Sequence, residues 1–426
     1  MNILVIGATG LIGSHTLAAL QRTGHHAIGA SRKKPAGALA TWKELDIGSL
    51  TDAQAWLPHL EGIDAVINCV GIIRESRPND FQRLHQQMPI ALFAACEQVG
   101  VFRVVQVSAL GSQMHASTAY WRSKGAADAD LLQRRLSATV VRPSLVYGDE
   151  GASSRVFTMM ASLPLTIMPM AHSALVQPIH VDDLADVLVK LLTGTSPAPR
   201  ELAAVGPRAM TIAAYIEALR AGMAWPPGRV LALPALPARL LARCAEPLPA
   251  SALTLDSLRM LEQSADGSNT AETGPVRAIL GRALRRPEDF AGPGQRARAV
   301  CAWALPVCRW VIALLWLWTA YASWFGWPHA QSLDWLAQCG LPHAWGEPVL
   351  LAASLLDAAI GMTVLIARRA WIWPPQMALV LGYTTIMSLH LPQFWMHPFG
   401  PLSKNLPLLA LMFVMWRLAA NAGKQD

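Results

Sequence analysis

The hydrophobic rhythm of the chain changes twice. From Asn2 to about Pro207, short apolar runs ("NILVIGA", "HHAIGAS", "DAVINCVG", "FRVVQVSA", "ATVVRPS") alternate with stretches of helical period. Unbroken apolar runs of this length suit strands buried on both faces, and helices between them imply an α/β fold with a doubly wound parallel sheet. From about Leu145 to Leu261 the rhythm loosens into Pro-rich pieces such as "LPALPARLLA", which predicts a smaller substrate lobe over the strand ends.

The second change comes after Thr273. The stretch to Arg309, with "RAILGRALRRPEDFAGPGQRARA", is rich in arginine, glycine and proline and reads as a linker ending beside a membrane. Four apolar segments follow, near Ala304–Trp327, Pro348–Ala367, Trp371–Leu391 and Leu402–Ala419. Roughly 20 residues of helix cross a bilayer core of about 30 Å, so the expectation is an all-α bundle of four transmembrane helices. The domains predicted are 1–272, nucleotide-binding; 273–303, a basic juxtamembrane linker; and 304–426, membrane-embedded.

Positive charge supports the same layout. Arg277, Arg282, Arg285, Arg286, Arg296, Arg298 and Arg309 precede or open the first span, whereas "PHAQSLDWLAQCGLPHAWGE" has neither lysine nor arginine. Arg368 and Arg369 follow the second span, Lys404 lies at the far end of the third loop, and Arg417 and Lys424 close the chain. That alternation predicts a multi-pass protein of a bacterial inner membrane with the N-terminal domain and the C-terminus in the cytoplasm.

Composition agrees with two solvents. Hydrophobic residues make up 53% and charged residues 15%, against a usual charged share of about 25%, and there are 16 Trp, a residue favoured at membrane interfaces. The net charge of +7 lies largely in the arginines before the first span, with no basic run interleaved with aromatics, which argues against nucleic acid. Cys69, Cys96, Cys244, Cys301, Cys308 and Cys339 form no C-x-x-C pair and no zinc spacing, so they read as reduced, buried thiols and no metal is expected. The N-terminus lacks a basic n-region and its apolar run is broken by glycines, unlike a signal peptide.

Two motifs carry chemistry. In "ILVIGATGLIGSHT" a strand meets Gly7, Gly10 and Gly13 and then a helix, a turn that lets a pyrophosphate approach backbone N–H groups at a helix N-terminus. Gly7, Thr9, Gly10, Leu11, Ile12 and Gly13 are therefore the expected dinucleotide loop. The second strand ends in Arg32 and Lys33, which can pair a ribose 2′-phosphate and favour NADP(H) over NAD(H). Asp46, beside Ile47, can accept from the adenine amino group, and Cys69, Val70 and Gly71 follow Asn68 where a strand passes beneath the ribose. The second motif is Tyr120 and Lys124, four residues apart on one helix face. A lysine there lowers the phenol pKa and holds the nicotinamide ribose, leaving Tyr120 to move the proton that accompanies hydride transfer.

With "GATGLIG", "VSALGS", "YWRSK", "VRPSLVYG" and "QPIHVDDLADVL" in this order, residues 1 to about 265 resemble an atypical, extended-type short-chain dehydrogenase/reductase with an NAD(P)-binding Rossmann fold. The subgroup is similar to the nucleotide-binding accessory subunit of respiratory complex I. The resemblance implies Tyr120 as acid/base, Lys124 on the ribose, Pro143, Ser144 and Val146 along the nicotinamide, and a serine polarising a carbonyl. Where extended members carry that hydroxyl this chain has Leu110, leaving Ser108 and Ser112 as candidates. Farther on, "RWVIALLWLWTAYASW", "LLDAAIGM" and "HPFGPLSKNLP" resemble the DoxX-like membrane family over about Pro306–Leu418, which implies a membrane redox setting and redox partner proteins. Asp357 lies mid-span and needs protonation, a partner or a polar cavity; Lys404, Asn405, Arg309, His390 and His397 are the candidates.

The expected function is NADPH-dependent reduction of a carbonyl or quinone-like lipophilic substrate. The alternatives are a non-catalytic NADPH-binding sensor or assembly protein, and a nucleotide-sugar epimerase or dehydratase.

Overall fold

The computed structural model of the protein describes residues 1–38, 40–75, 80–194, 197–245, 255–367 and 369–422. These divide into two compact units, Met1–Val300 and Cys301–Asp426.

The first unit is built on a parallel sheet of seven strands. All five predicted runs are strands: β1 (Asn2–Ile6), β2 (His26–Ser31), β4 (Ala65–Asn68), β5 (Arg103–Val107) and β6 (Ser137–Pro143). Two edges went unread: β3 (Thr41–Glu44), exposed or half-exposed with no apolar run, and the short β11 (Glu201–Ala204), in which only Leu202 and Ala204 are buried. The order β11-β6-β5-β4-β1-β2-β3 reverses direction at β1 and opens a crevice at the carboxyl ends of the strands, where open α/β sheets take ligands. Helices α1 (Leu11–Arg22), α2 (Ala53–Leu60), α3 (Met88–Val99) and α4 (Ala119–Gln133) follow the first strands. Two cores flank the sheet, one around Ile3, Val5, Leu20 and Leu188, the other around Leu4, Ile6, Trp56 and Phe93.

Three two-strand ribbons form the lobe: β7 (Val146–Tyr147) with β10 (Ile179–His180), β9 (Leu175–Val176) with β12 (Met210–Thr211), and β8 (Leu165–Pro169) with β13 (Arg229–Leu233). Helices α5 (Ala152–Ser162) and α7 (Ile212–Gly222) pack with them through Tyr215 and Ile216, while α6 (Val181–Thr193) returns to the sheet. Helices α8 (Ala235–Ala245) and α9 (Leu255–Ser264) complete the lobe.

The expected linker is packed structure. Helix α10 (Gly274–Leu280) puts Val276 and Leu280 into the first core, Leu284 joins them, and Phe290 and Ala291 enter the lobe core. Several of the linker's arginines have partners. Arg285 donates to the fully buried carboxylate of Asp183 at 2.5 Å, and Arg282 lies 2.8 Å from both Asp183 and Asp186. The guanidinium of Arg296 donates to the carbonyls of Met223 and Ala224. Counting charge along the sequence missed this because the acidic partners lie about a hundred residues earlier.

The second unit is helical: α11 (Arg296–Tyr321, continued from the first unit), α12 (His329–Gln338), α13 (His343–Ile366), α14 (Trp373–His390), α15 (Gln393–Met396) and α16 (Asn405–Ala422). Among the described residues two helical stretches, Pro293–Gly326 and His343–Ile366, are long and apolar enough to cross a membrane, where four were expected. Asn405–Ala420 is apolar but shorter, and α14 carries Pro374, Pro375, Gln376, Thr384 and Thr385 among its apolar residues. Gly361 allows α13 to lie close to α11: a methyl group there would sit 2.8 Å from Leu317. Trp316 donates to Gln376 across to α14.

Asp357 is buried with Oδ1 lacking a hydrogen-bond partner among the described residues. None of its expected partners hydrogen-bonds that oxygen: Asn405 donates to Thr384, Arg309 donates to the Ala367 carbonyl, and Lys404, His390 and His397 are exposed. Arg368 and Lys424 lie outside the described residues. The six cysteines are free thiols, but only Cys96 is buried and Cys244 is exposed.

Candidate functional site

The turn after β1 is shaped by its glycines. Gly7 has φ +76°, a backbone favouring glycine, and a Cβ there would approach Cys69 and Val70 to 3.0 Å. A Cβ on Gly13 would lie 2.3 Å from the Gly7 carbonyl. Helix α1 starts after Gly10 with no side chain capping it, leaving its first N–H groups free for an anion.

In front of this turn is a cavity of about 620 Å³ lined by ten of the expected residues: Gly7, Thr9, Gly10, Arg32, Lys33, Asp46, Ile47, Cys69, Val70 and Gly71. Ser31, Gly48, Ile72 and Leu84 also line it and were not foreseen. Asn68 fixes the far wall: its amide donates to Gln106 at 2.7 Å while its carbonyl accepts from Val70 N–H at 3.1 Å. Glycine-tight turn, open helix terminus and two cations at one end fit an NAD(P) dinucleotide.

The remaining expected cofactor residues are not among those lining this cavity. Gly13 is buried in the first turn of α1, and Leu11 would meet a methyl group placed on Gly148 or Gly151. Ser144 donates to Asn269 at 3.1 Å, and Val146 pairs with Ile179. Lys124 reaches the rim: a methyl group on Gly71 would lie 3.5 Å from its Nζ.

Helix α4 carries the second motif, with Thr118 accepting from Trp121 N–H as its cap. Lys124 is buried, donates to the Val107 carbonyl at 3.1 Å, and has Nζ 6.0 Å from the centre of the Tyr120 ring. Burial brings its pKa down to about 8, with Asp128 and Cys69 opposing. The expected lowering of the tyrosine pKa is absent: burial dominates and pushes Tyr120 up to about 12. At neutral pH Tyr120 is a phenol with a proton to give.

The serines have separate fates. Ser108 Oγ donates to Asp128 at 2.6 Å, and the same carboxylate oxygen accepts from Arg142 at 3.2 Å. Ser112 Oγ is buried with no hydrogen-bond partner among the described residues, in a turn pinned by α4: a Cβ on Gly125 would lie 2.4 Å from Gln113.

Sequence reading missed His85. It lies in a π-helical turn, Gln82–Gln87, a form found mostly as single turns at functional sites. Nε2 accepts from Ile72 N–H at 2.9 Å, which leaves the ring proton on Nδ1, facing Ser123 Oγ at 3.2 Å. Ser123 donates to the Tyr120 carbonyl, and the His85 ring meets the Tyr120 ring edge-on at 5.6 Å. Burial pushes its pKa down to about 2, so it stays neutral. The only sequence signal is a histidine in the polar stretch "QRLHQQ", too weak to single out.

Residues 3–204 match the NAD dependent epimerase/dehydratase family, and residues 313–413 match the DoxX-like family. Among curated proteins, the mitochondrial NADH dehydrogenase (ubiquinone) 1 alpha subcomplex subunit 9 of Mus musculus is 26% identical over 48% of this chain and 56% of its own length. A ceramide reductase of Caulobacter vibrioides is 26% identical over 44% of this chain and 59% of its own. The chain thus spans less than two thirds of either relative. Among solved structures, a nucleoside-diphosphate-sugar epimerase from Staphylococcus aureus superposes with TM-score 0.55 at 18% identity, covering 68% of this chain and 99% of that one. An NADPH-dependent quinone oxidoreductase from Escherichia coli does so with TM-score 0.53 at 15% identity, covering 70% and 99%. These two share the fold. The protein therefore joins a nucleotide-binding domain that matches the epimerase/dehydratase family to a C-terminal domain that matches the DoxX-like family.

Proposed function

We propose that the protein is a membrane-anchored, NADPH-preferring reductase of a lipophilic carbonyl or quinone. One observation carries the reading: a single cavity has Arg32 and Lys33 at one end and Gly71, beside the buried Lys124 of the Tyr120 helix, at the other. A bound dinucleotide supplies the hydride. The chain's residues do the rest. Arg32 and Lys33 hold a 2′-phosphate, the open terminus of α1 holds the pyrophosphate, Lys124 holds a ribose hydroxyl, and Tyr120 delivers its proton to the substrate oxygen. Ser112 has the hydroxyl available to orient that oxygen, since the Ser108 proton is given to Asp128. The relatives named as a ceramide reductase and a quinone oxidoreductase support reduction of a lipophilic substrate. In this reading the DoxX-like domain forms four spans, with both termini in the cytoplasm.

The test is NADPH oxidation by the full chain in mild detergent against short-chain quinones and aldehydes, with Tyr120→Phe as the comparison. Oxidation that Tyr120→Phe retains in full overturns the assignment. The second reading is a cofactor-bound sensor or assembly protein contacting membrane redox partners. It is favoured by Leu110 at the expected hydroxyl position and by the complex I subunit among the relatives. Tight NADPH retention with no oxidation across the panel selects it. An epimerase would retain NAD, which Arg32 and Lys33 argue against.

A further inference from the structure

Helix α8 is built inside out. Its inward positions are alanines, Ala238 and Ala242, both 0% exposed, while Leu236 is 80%, Leu240 64% and Leu241 51% exposed. Four-residue spacing puts Leu236 and Leu240 on one face and Arg239 and Arg243 on an adjoining stripe. The preceding ribbon repeats the pattern. Register pairs Leu165 with Arg229 and Ile167 with Leu231, and all three of these aliphatics are about half exposed.

Large leucines outside and alanines inside are the reverse of what folding of the lobe alone favours, since burial of the larger side chains stabilises more. The chemistry of the face decides its partner. From Arg229 to Cys244 the chain has three arginines, no acidic residue and no aromatic residue. Protein interfaces concentrate their energy in Trp and Tyr as well as Arg. Leucines beside an arginine stripe are the composition of helices that lie in the headgroup region of an anionic bilayer. A bilayer is available to this chain, whose C-terminal unit carries two helices long and apolar enough to cross one. Among the described residues the one acidic partner on the face is Glu262, 2.8 Å from Arg239 in an exposed ion pair that contributes little.

We propose that the α8 face of the lobe docks on an anionic lipid surface, with Leu236, Leu240 and Leu241 entering the acyl boundary and Arg239 and Arg243 at the headgroup phosphates. The proposal rests on the bilayer reading of the apolar helices and not on the reductase reading.

The test uses the full chain in nanodiscs of mixed phosphatidylglycerol and phosphatidylcholine, with p-benzoylphenylalanine placed in turn at Leu240, at Leu355 on helix α13, and at the exposed Phe102 just before strand β5. After irradiation, mass spectrometry identifies what each probe has captured. The expected result is a lipid adduct at Leu240 and Leu355 and none at Phe102, with the Leu240 yield falling several-fold in Arg239→Glu/Arg243→Glu and in discs of phosphatidylcholine alone. A Leu355 adduct with none at Leu240 overturns the docking and leaves the membrane domain intact. Capture of a second polypeptide at Leu240 overturns it in favour of a protein interface. Loss of both adducts overturns the bilayer reading itself.

Discussion

The hydroxyl of Ser108 donates to the buried carboxylate of Asp128 at 2.6 Å, one oxygen serving both Ser108 and Arg142. Ser108 thereby braces helix α4 against the sheet. Ser108→Ala is expected to retain most turnover and to destabilise the domain by about 1–3 kcal/mol, the range for leaving a buried polar group short of a partner. Ser112→Ala is expected to lower kcat by roughly 10²-fold, the scale of one lost donor to a developing oxyanion, with little change in melting temperature. NADPH oxidation and thermal unfolding of both variants decide between the two serines.

Tyr120→Phe is expected to bind NADPH as wild type does and to lose about 10²–10⁴-fold in kcat, the usual contribution of a positioned general acid. Isothermal titration beside steady-state kinetics separates binding from turnover.

The lowered pKa of Lys124 has a signed consequence for the cofactor-free protein. Between pH of about 8 and its ordinary value of 10.5, the folded state holds fewer protons at this site than the unfolded state. Stability contributed by this group therefore rises with pH across that window. Lys124→Met removes the rise, which urea unfolding at pH 8 and pH 10 would register as a smaller gain than in wild type.

Arg32 and Lys33 are expected to set cofactor choice. Charge-assisted hydrogen bonds contribute about 1.5–3 kcal/mol, so Arg32→Ala should weaken NADPH binding roughly tenfold to a hundredfold while leaving NADH binding nearly unchanged. Equal loss for both cofactors would remove the 2′-phosphate assignment.

His85 ties the Ile72 wall of the cavity to the Tyr120 helix and is neutral in the fold. Unfolding lets it take a proton below its ordinary pKa of 6.5, so its share of stability falls as pH drops through that value. His85→Gln keeps a donor and an acceptor and should flatten this acid loss while preserving cofactor affinity. His85→Ala should weaken cofactor binding about tenfold, the cost of leaving the partly buried Ile72 N–H without its partner.

The central strands were legible because each is an apolar run bounded by turn residues, and the glycine turn because a strand leads into its spacing and a helix out of it. Eight of the ten expected cavity residues followed from these two patterns, and Asp46 and Ile47 were read separately from "ELDIGSL". His85 was not legible, since its partners Ile72 and Ser123 come from separate segments joined only by folding. Nor was the direction of the Tyr120 shift, because four-residue spacing places a lysine near a phenol but says nothing of how deeply both are buried. The stretch from Thr273 was misread for a related reason: Arg282, Arg285 and Arg296 look solvated in one dimension and are partnered in three.

Asp183 decides where this gene can be cut. A fragment ending at residue 272 would keep a fully buried carboxylate and discard both guanidiniums, Arg282 and Arg285, that compensate it. Breaking a buried ion pair from one side costs about 3–5 kcal/mol, a large fraction of the stability of an ordinary domain. An excised nucleotide-binding domain intended for crystallisation should therefore run past Arg296, and a shorter clone should be found in inclusion bodies.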